Sequence, residues 1–169
     1  MNFILESERL ILRELSINDA ESFFLLNEDE EVLKHTGDLP FTDISKARDF
    51  LSKYDQYKRF GFGRWAVILK ENNSFIGWCG LKQNEKGEID IGFRFFRKTW
   101  NKGYATEAAK ASLDFAFENL NIEKVIARAS INNIASIKVL EKIGMIFSHT
   151  EIEEEMGEIR VYKKLQLSS

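Results

Sequence analysis

Cysteine, proline and histidine are scarce in this chain of 169 residues. Cys79 is the only cysteine, so an intrachain disulfide and a cysteine-built metal site are both excluded. The two histidines, His35 and His149, stand too far apart to suggest a zinc pair, and no metal is expected. Pro40 is the only proline and marks a loop, Gly37-Asp-Leu-Pro-Phe-Thr42. Long apolar runs are missing too. Phe23-Phe-Leu-Leu26 is far shorter than the roughly 20 residues that a membrane span needs. The start, Met1-Asn-Phe-Ile-Leu-Glu-Ser-Glu8, has neither a basic n-region nor an apolar h-region. The simplest reading is a soluble protein of a reducing compartment, the cytoplasm, without a membrane partner. Charge of one sign is also missing: 24 basic against 27 acidic residues give a net charge of -3. That balance argues against a protein built to coat nucleic acid. No repeat or low-complexity segment is visible.

What is present is ordinary for a globular domain: 44% hydrophobic and 30% charged residues. The length suits a single domain spanning 1–169. Arg9-Leu-Ile-Leu-Arg13 reads as a first strand. Asn18-Asp19 is placed to cap a helix to about Asn27, and Thr42-Asp43 a second one carrying Ala47, Phe50, Leu51 and Tyr54. Trp65 to Leu69, Phe75 to Leu81 and Ile89 to Phe96 are apolar runs separated by short polar turns, which predicts an antiparallel meander. After Gly103 the period becomes helical up to about Leu120. Lys124 to Arg128 is a strand, Asn133 caps a helix ending near Gly144, and two strands close the chain. The order β-α-α-β-β-β-α-β-α-β-β predicts an α+β fold with a mixed, mostly antiparallel sheet flanked by helices. The helix between the Phe93 and Val125 strands is long enough to join parallel neighbours.

Trp100-Asn-Lys-Gly-Tyr-Ala-Thr-Glu-Ala108 carries the chemistry. It is a strand-to-helix junction built on a glycine, with Lys98 and Lys102 nearby and the small Ala105 and Ala108 at the helix start. Unpartnered amides and the positive end of a helix dipole converge there, which suits a phosphate or pyrophosphate. The spacing is neither a P-loop nor Gly-x-Gly-x-x-Gly.

A second segment, Asn133-Ile-Ala-Ser-Ile-Lys-Val-Leu-Glu-Lys-Ile-Gly144, follows one strand later. Together with Ser7-Glu-Arg-Leu-Ile-Leu-Arg13, Phe75-Ile-Gly77 and Gly80-Leu81, these motifs resemble the GNAT N-acetyltransferase superfamily. The nearest resemblance is to its ribosomal-protein N-terminal (alanine) acetyltransferase branch. The resemblance spans nearly the whole chain in order and implies a single GNAT-like domain with acetyl-CoA as co-substrate. It implies a pyrophosphate cradle at Trp100, Asn101, Lys102, Gly103, Tyr104 and Ala105. It also implies main-chain pairing of pantetheine with Phe93, Arg94 and Phe95, and cofactor contacts from Asn133 and Ser136.

In that family the acetyl group passes to a primary amine, here a peptide N-terminus, a polyamine or another small amine, by direct attack in a ternary complex. Asp90 stands where relatives often carry an acid and is the expected base, with Glu88 two residues earlier on the same face. Many relatives place a tyrosine where this chain has Leu140, so Ser136 is the expected donor to the leaving thiolate. Each has a plainer reading as well: surface charges for Asp90 and Glu88, capping for Asn133 and Ser136. Cys79 reads as packing, His35 as a loop residue or part of the substrate site. The acidic runs Glu28 to Glu31 and Glu151 to Glu155 read as solvated surface or as an attractor for a cationic amine. A non-catalytic acyl-CoA-binding sensor or structural module is the alternative function. Monomer and homodimer both fit the sequence.

Overall fold

The computed structural model describes residues 3–167, so the outermost residues of the expected 1–169 domain lie outside the description. An eight-stranded sheet runs through the molecule. Its strands are β1 (Phe3–Glu6), β2 (Leu10–Glu14), β3 (Arg64–Leu69), β4 (Ser74–Gln83), β5 (Ile89–Phe95), β6 (Lys124–Ser130), β7 (Ile146–Glu153) and β8 (Gly157–Leu165). They lie in the order β1-β2-β3-β4-β5-β6-β8-β7. Neighbours are antiparallel except β5 and β6, which run parallel. The fold is the α+β arrangement expected, with the meander at β3-β4-β5.

Helices cover both faces. α1 (Ala20–Leu26), α2 (Glu30–Leu33), α3 (Ile44–Lys53) and α4 (Gln56–Phe60) lie between β2 and β3, while α5 (Tyr104–Glu118) and α6 (Ile134–Lys142) flank β6. β3 explains the two-sided cover. Trp65 and Val67 pack into the core with α5, while Ala66 and Ile68 pack with α1 and α3, so the strand reads as a continuous apolar run. Leu10 and Leu12 of β2 are completely buried, each worth about 1.5–3 kcal/mol relative to exposure. α5 turns Ala108, Ala109, Ser112, Leu113 and Ala116 inward, and these small side chains let it lie close to the sheet.

Three local details depart from the sequence reading. β1 adds an opening hairpin strand. α2 and α4 are single turns, too short to register as helical periodicity. The side-chain cap falls two residues before Asn18: Ser16 and Asp19 form a capping box on a 3-10 turn that runs into α1. Asp43 caps α3 as expected, its Oδ1 accepting from Lys46 N at 3.0 Å.

The parallel pair decides where a ligand can sit. β5 leads into α5 and β6 leads into α6, so both helices start at the same edge of the sheet. The two strands share one ladder pair, Asp90 opposite Ile126, and beyond it β5 keeps a free edge facing the helix starts. A parallel switch point of this kind leaves a crevice beyond the carboxyl ends of the strands.

Candidate active site

The crevice begins where β5 ends. Phe96 N donates to Ile76 O on β4 at 3.0 Å. By the alternation of an antiparallel ladder, Arg94 then also turns its main chain to β4, opposite Trp78, while Phe93 and Phe95 turn theirs to the free edge. Of the three residues expected to offer main-chain groups, Arg94 therefore contributes only its side chain. The Trp100 indole Nε1 donates to Phe95 O at 2.9 Å, folding the turn back onto the strand end.

Past Trp100 the chain reverses through two left-handed residues, Asn101 at φ 63° and Gly103 at φ 82°. The conformation is inexpensive for glycine and tolerated by asparagine. α5 starts at once, and among the described residues the amides of Asn101 to Thr106 have no backbone acceptor. Unpartnered donors at the positive end of a helix dipole favour an anion.

α6 supplies a second helix start. Asn133 Oδ1 accepts from Ser136 N at 3.2 Å, so the expected cap is real. Among the described residues the Ser136 hydroxyl has no hydrogen-bond partner. The opposite wall is α2 and the loop after it, held by two arginines, Arg94 on β5 and Arg97 in the turn that follows it. Arg94 donates to Asn27 Oδ1 at 2.5 Å and to Asp38 Oδ2 at 2.7 Å. Arg97 donates to both oxygens of Asp29, the α2 cap, at 2.6 and 3.1 Å. The hydrogen bond from Arg97 holds the Asp29 carboxyl below its ordinary range.

Between these walls lies a cavity of about 760 Å³, within the range of cofactor and small-molecule sites. Phe93, Arg94, Phe95, Trp100, Asn101, Gly103, Tyr104, Ala105, Asn133 and Ser136 all line it. Lys102 does not; it turns its carbonyl to Arg9 Nη1 at 2.9 Å instead.

Asp90 is not on the wall either. Its Oδ1 accepts from Arg64 Nη2 at 2.7 Å, and both side chains are largely buried. Glu88 is taken up in the β4–β5 turn, accepting from Asn84 Nδ2 at 3.2 Å. Leu140 is buried in the core. Cys79 is fully buried beside Ser112, and burial pushes its thiol up to about 12, so it is packing as expected.

The cavity also holds charged residues outside the expected cofactor and catalytic sets. Lys138 and Lys142, one turn apart on α6, add positive charge. Glu31 and His35 bring titratable groups to the far wall. Their signal in the sequence was weak, because α2 is a single turn without a periodic face. Glu31 is the only member of the first acidic run on the wall. In the second run, Glu151 and Glu153 pair with Arg128. Among the described residues no group of three or more His, Cys, Asp or Glu is arranged to hold a metal, and no helix is long and apolar enough to cross a membrane.

Comparison with known proteins agrees with this geometry. The family described as Acetyltransferase (GNAT) domain matches residues 9–146. An uncharacterized N-acetyltransferase of Bacillus licheniformis, p20, is 33% identical over 163 residues, covering 95% of this chain and 87% of its own. The crystal structure of a GNAT-family acetyltransferase from Bacillus anthracis superposes with a TM-score of 0.83 at 30% identity, covering 97% of this chain and 98% of that one. RimL, a ribosomal L7/L12 alpha-N-protein acetyltransferase solved with coenzyme A, has a TM-score of 0.82 over 97% of this chain and 98% of its own. At 14% identity it shares the fold alone. With its β5 edge, its glycine turn and its α6 start on one cavity, the chain belongs to the GNAT family and is an N-acetyltransferase.

Proposed function

We propose that the protein moves an acetyl group from acetyl-CoA to a primary amine by direct attack within a ternary complex. One observation carries this reading: the free edge of β5 leads into the unpartnered amides of the Asn101–Thr106 stretch, whose residues other than Lys102 line the same cavity. The edge suits an extended amide-bearing arm, and the amides suit a pyrophosphate. Lys138 and Lys142 add charge for an anionic ligand. Acetyl-CoA, when bound, supplies the acetyl thioester and departs as the free thiol.

The chain's own groups have three tasks. Phe93 N–H and C=O and Phe95 N–H orient the arm. The Ser136 hydroxyl donates a hydrogen bond to the departing sulfur. A proton acceptor on the wall, His35 or Glu31, takes the proton from the attacking amine, which is otherwise an ammonium with a pKa near ~10. Asp90, locked to Arg64 away from the cavity, leaves that role to them. Direct attack fits because the one thiol, Cys79, is sealed in the core.

The acceptor classes are a peptide N-terminus, a polyamine and another small amine. The resemblance to the ribosomal-protein branch favours the peptide N-terminus, and RimL shares the fold.

Thermal unfolding with acetyl-CoA, against NAD and ATP, tests the cofactor. At ~100 times its Kd, acetyl-CoA stabilises the fold by about 2.7 kcal/mol. No shift with acetyl-CoA, in protein free of copurified CoA, overturns the proposal. Turnover across a panel of peptides and amines then identifies the acceptor class.

A further inference from the structure

Two of the sequence motifs are left without a task by this mechanism. One is the opening Ser7-Glu-Arg9; the other is Glu107, the charged residue that closes the glycine-turn signature. They meet. Ser7 Oγ donates to Glu107 Oε2 at 2.6 Å, and Arg9 N donates to the same oxygen at 2.8 Å. Arg9 Nε donates to Glu107 Oε1 at 2.7 Å. The same guanidinium reaches the turn itself: Nη1 donates to Lys102 O at 2.9 Å, and its carbon lies 4.5 Å from the Tyr104 ring centroid. A Cβ on Gly103 would stand 3.3 Å from Arg9 Nη2.

We infer that Arg9 and Glu107 are positioning residues that hold the Asn101–Gly103 turn in its ligand-ready form from behind the cavity wall. The inference rests on the acetyl-CoA reading above.

The argument is geometric. A three-residue turn with two left-handed residues and three unpartnered amides, followed by three more at the start of α5, has little internal hydrogen bonding to keep its shape. Its outward carbonyl, Lys102 O, is the handle by which another part of the chain fixes it. Arg9 takes that handle with one nitrogen and anchors itself on Glu107 with another, and a planar guanidinium alone offers that fork. Glu107 is in the first turn of α5, so its carboxylate also favours the helix dipole. Arg9 faces no part of the cavity, so its effect on a ligand passes through the turn. Amides fixed before binding save the ligand the cost of ordering them.

Amide exchange and steady-state kinetics test this on the full chain. Glu107→Gln and Arg9→Gln are compared with Arg13→Gln, which breaks the pair between Arg13 on β2 and Asp19, away from the turn. In the ligand-free protein, Arg9→Gln speeds exchange of the Glu107 amide, which donates to Gly103 O where the turn enters α5, about tenfold relative to β6, and Arg13→Gln does not. The KM for acetyl-CoA rises about tenfold while the amine KM stays within about twofold. Arg9→Lys, which keeps the charge but loses the fork, falls between wild type and Arg9→Gln. Unchanged exchange at the turn overturns the inference. So does faster exchange with an unchanged acetyl-CoA KM. The exchange arm needs no ligand, so wild-type protein that never saturates with acetyl-CoA marks failure of the functional reading, and unchanged exchange marks failure of the clamp.

Discussion

Arg64 and Asp90 form an ion pair at 2.7 Å with side chains only 17% and 15% exposed. Arg64 also donates to the carbonyls of Gly80 and Asp90, at 2.8 and 3.2 Å, and lies over the Trp78 ring. Gly92 makes room for it, since a Cβ there would stand 2.8 Å from Arg64 Nη2. The carboxylate sits where a catalytic base was expected, and its geometry is that of a brace between β3 and β5. Asp90→Asn is expected to cost about 1.5–3 kcal/mol of stability, the range for a hydrogen bond to a charged group. Turnover with the best amine stays within about threefold of wild type, since no transition-state contact is removed. Loss of a hundredfold or more in kcat, with loss of the acid limb of the pH profile, would instead make Asp90 the base.

Ser136 and Asn133 sit three residues apart and do different work. Asn133 accepts from the Ser136 amide through its side chain, so Asn133→Ala is a capping change worth about 1 kcal/mol of stability. Ser136→Ala leaves that bond intact, because the amide is the donor. It is expected to lower kcat about ten- to hundredfold with little change in the acetyl-CoA KM, as befits loss of a hydrogen bond to a leaving group. Unfolding curves with steady-state kinetics on both variants separate the two roles. A Ser136→Ala enzyme with full kcat would remove the hydroxyl from the mechanism.

Legibility in the sequence followed range. The Trp100–Ala105 turn, the Asn133 cap and the β3-β4-β5 meander are set by residues within a few positions of one another, and each was readable. The parallel placement of β5 and β6 was readable from the length of the crossover. β1, α2 and α4 were not, because four or five residues carry no period. The partner of Asp90 was not readable either. Alternation along β5 assigns a face, but Arg64 arrives from 26 residues away on another strand. Arg9 and Glu107, 98 residues apart, belonged to two motifs noticed separately, and nothing local joins them. The swap that sets β8 inside β7 has the same cause: β7 is exposed along most of its length and β8 carries the buried Ile159, Val161 and Tyr162.

Gly77 gives a direct test of how tightly β5 is held. A Cβ there would fall 2.2 Å from Arg94 O and 2.8 Å from Phe95 Cα, backbone atoms that cannot swing aside. Gly77→Ala must push β4 and β5 apart beside the cavity-facing residues. The expected cost is about 1–3 kcal/mol, as for other overpacked interiors. Acetyl-CoA affinity falls with it, while Gly87→Ala, in an open turn with nothing near, leaves affinity unchanged. Melting temperature and calorimetric titration on the pair check this, and equal affinities would show that the β5 edge is not part of the ligand site.

The Glu107 carboxyl should write its signature on acid stability. Burial pushes its pKa up, but hydrogen bonds from Ser7 and from the amide and side chain of Arg9 outweigh burial and hold it below the ordinary value. A carboxyl lowered in the folded state stabilises the fold above its unfolded pKa, about 4.3, and loses that contribution as pH falls through the folded value. Glu107→Gln therefore melts below wild type at pH 7, and the gap narrows from about pH 4 downward. Asp29 and Glu151 are also held low, so the wild-type curve alone cannot isolate one group. The difference between wild type and Glu107→Gln can, because those other carboxyls are common to both. A gap that stays constant between pH 7 and 3 would mean that Glu107 is not the charged anchor its partners require.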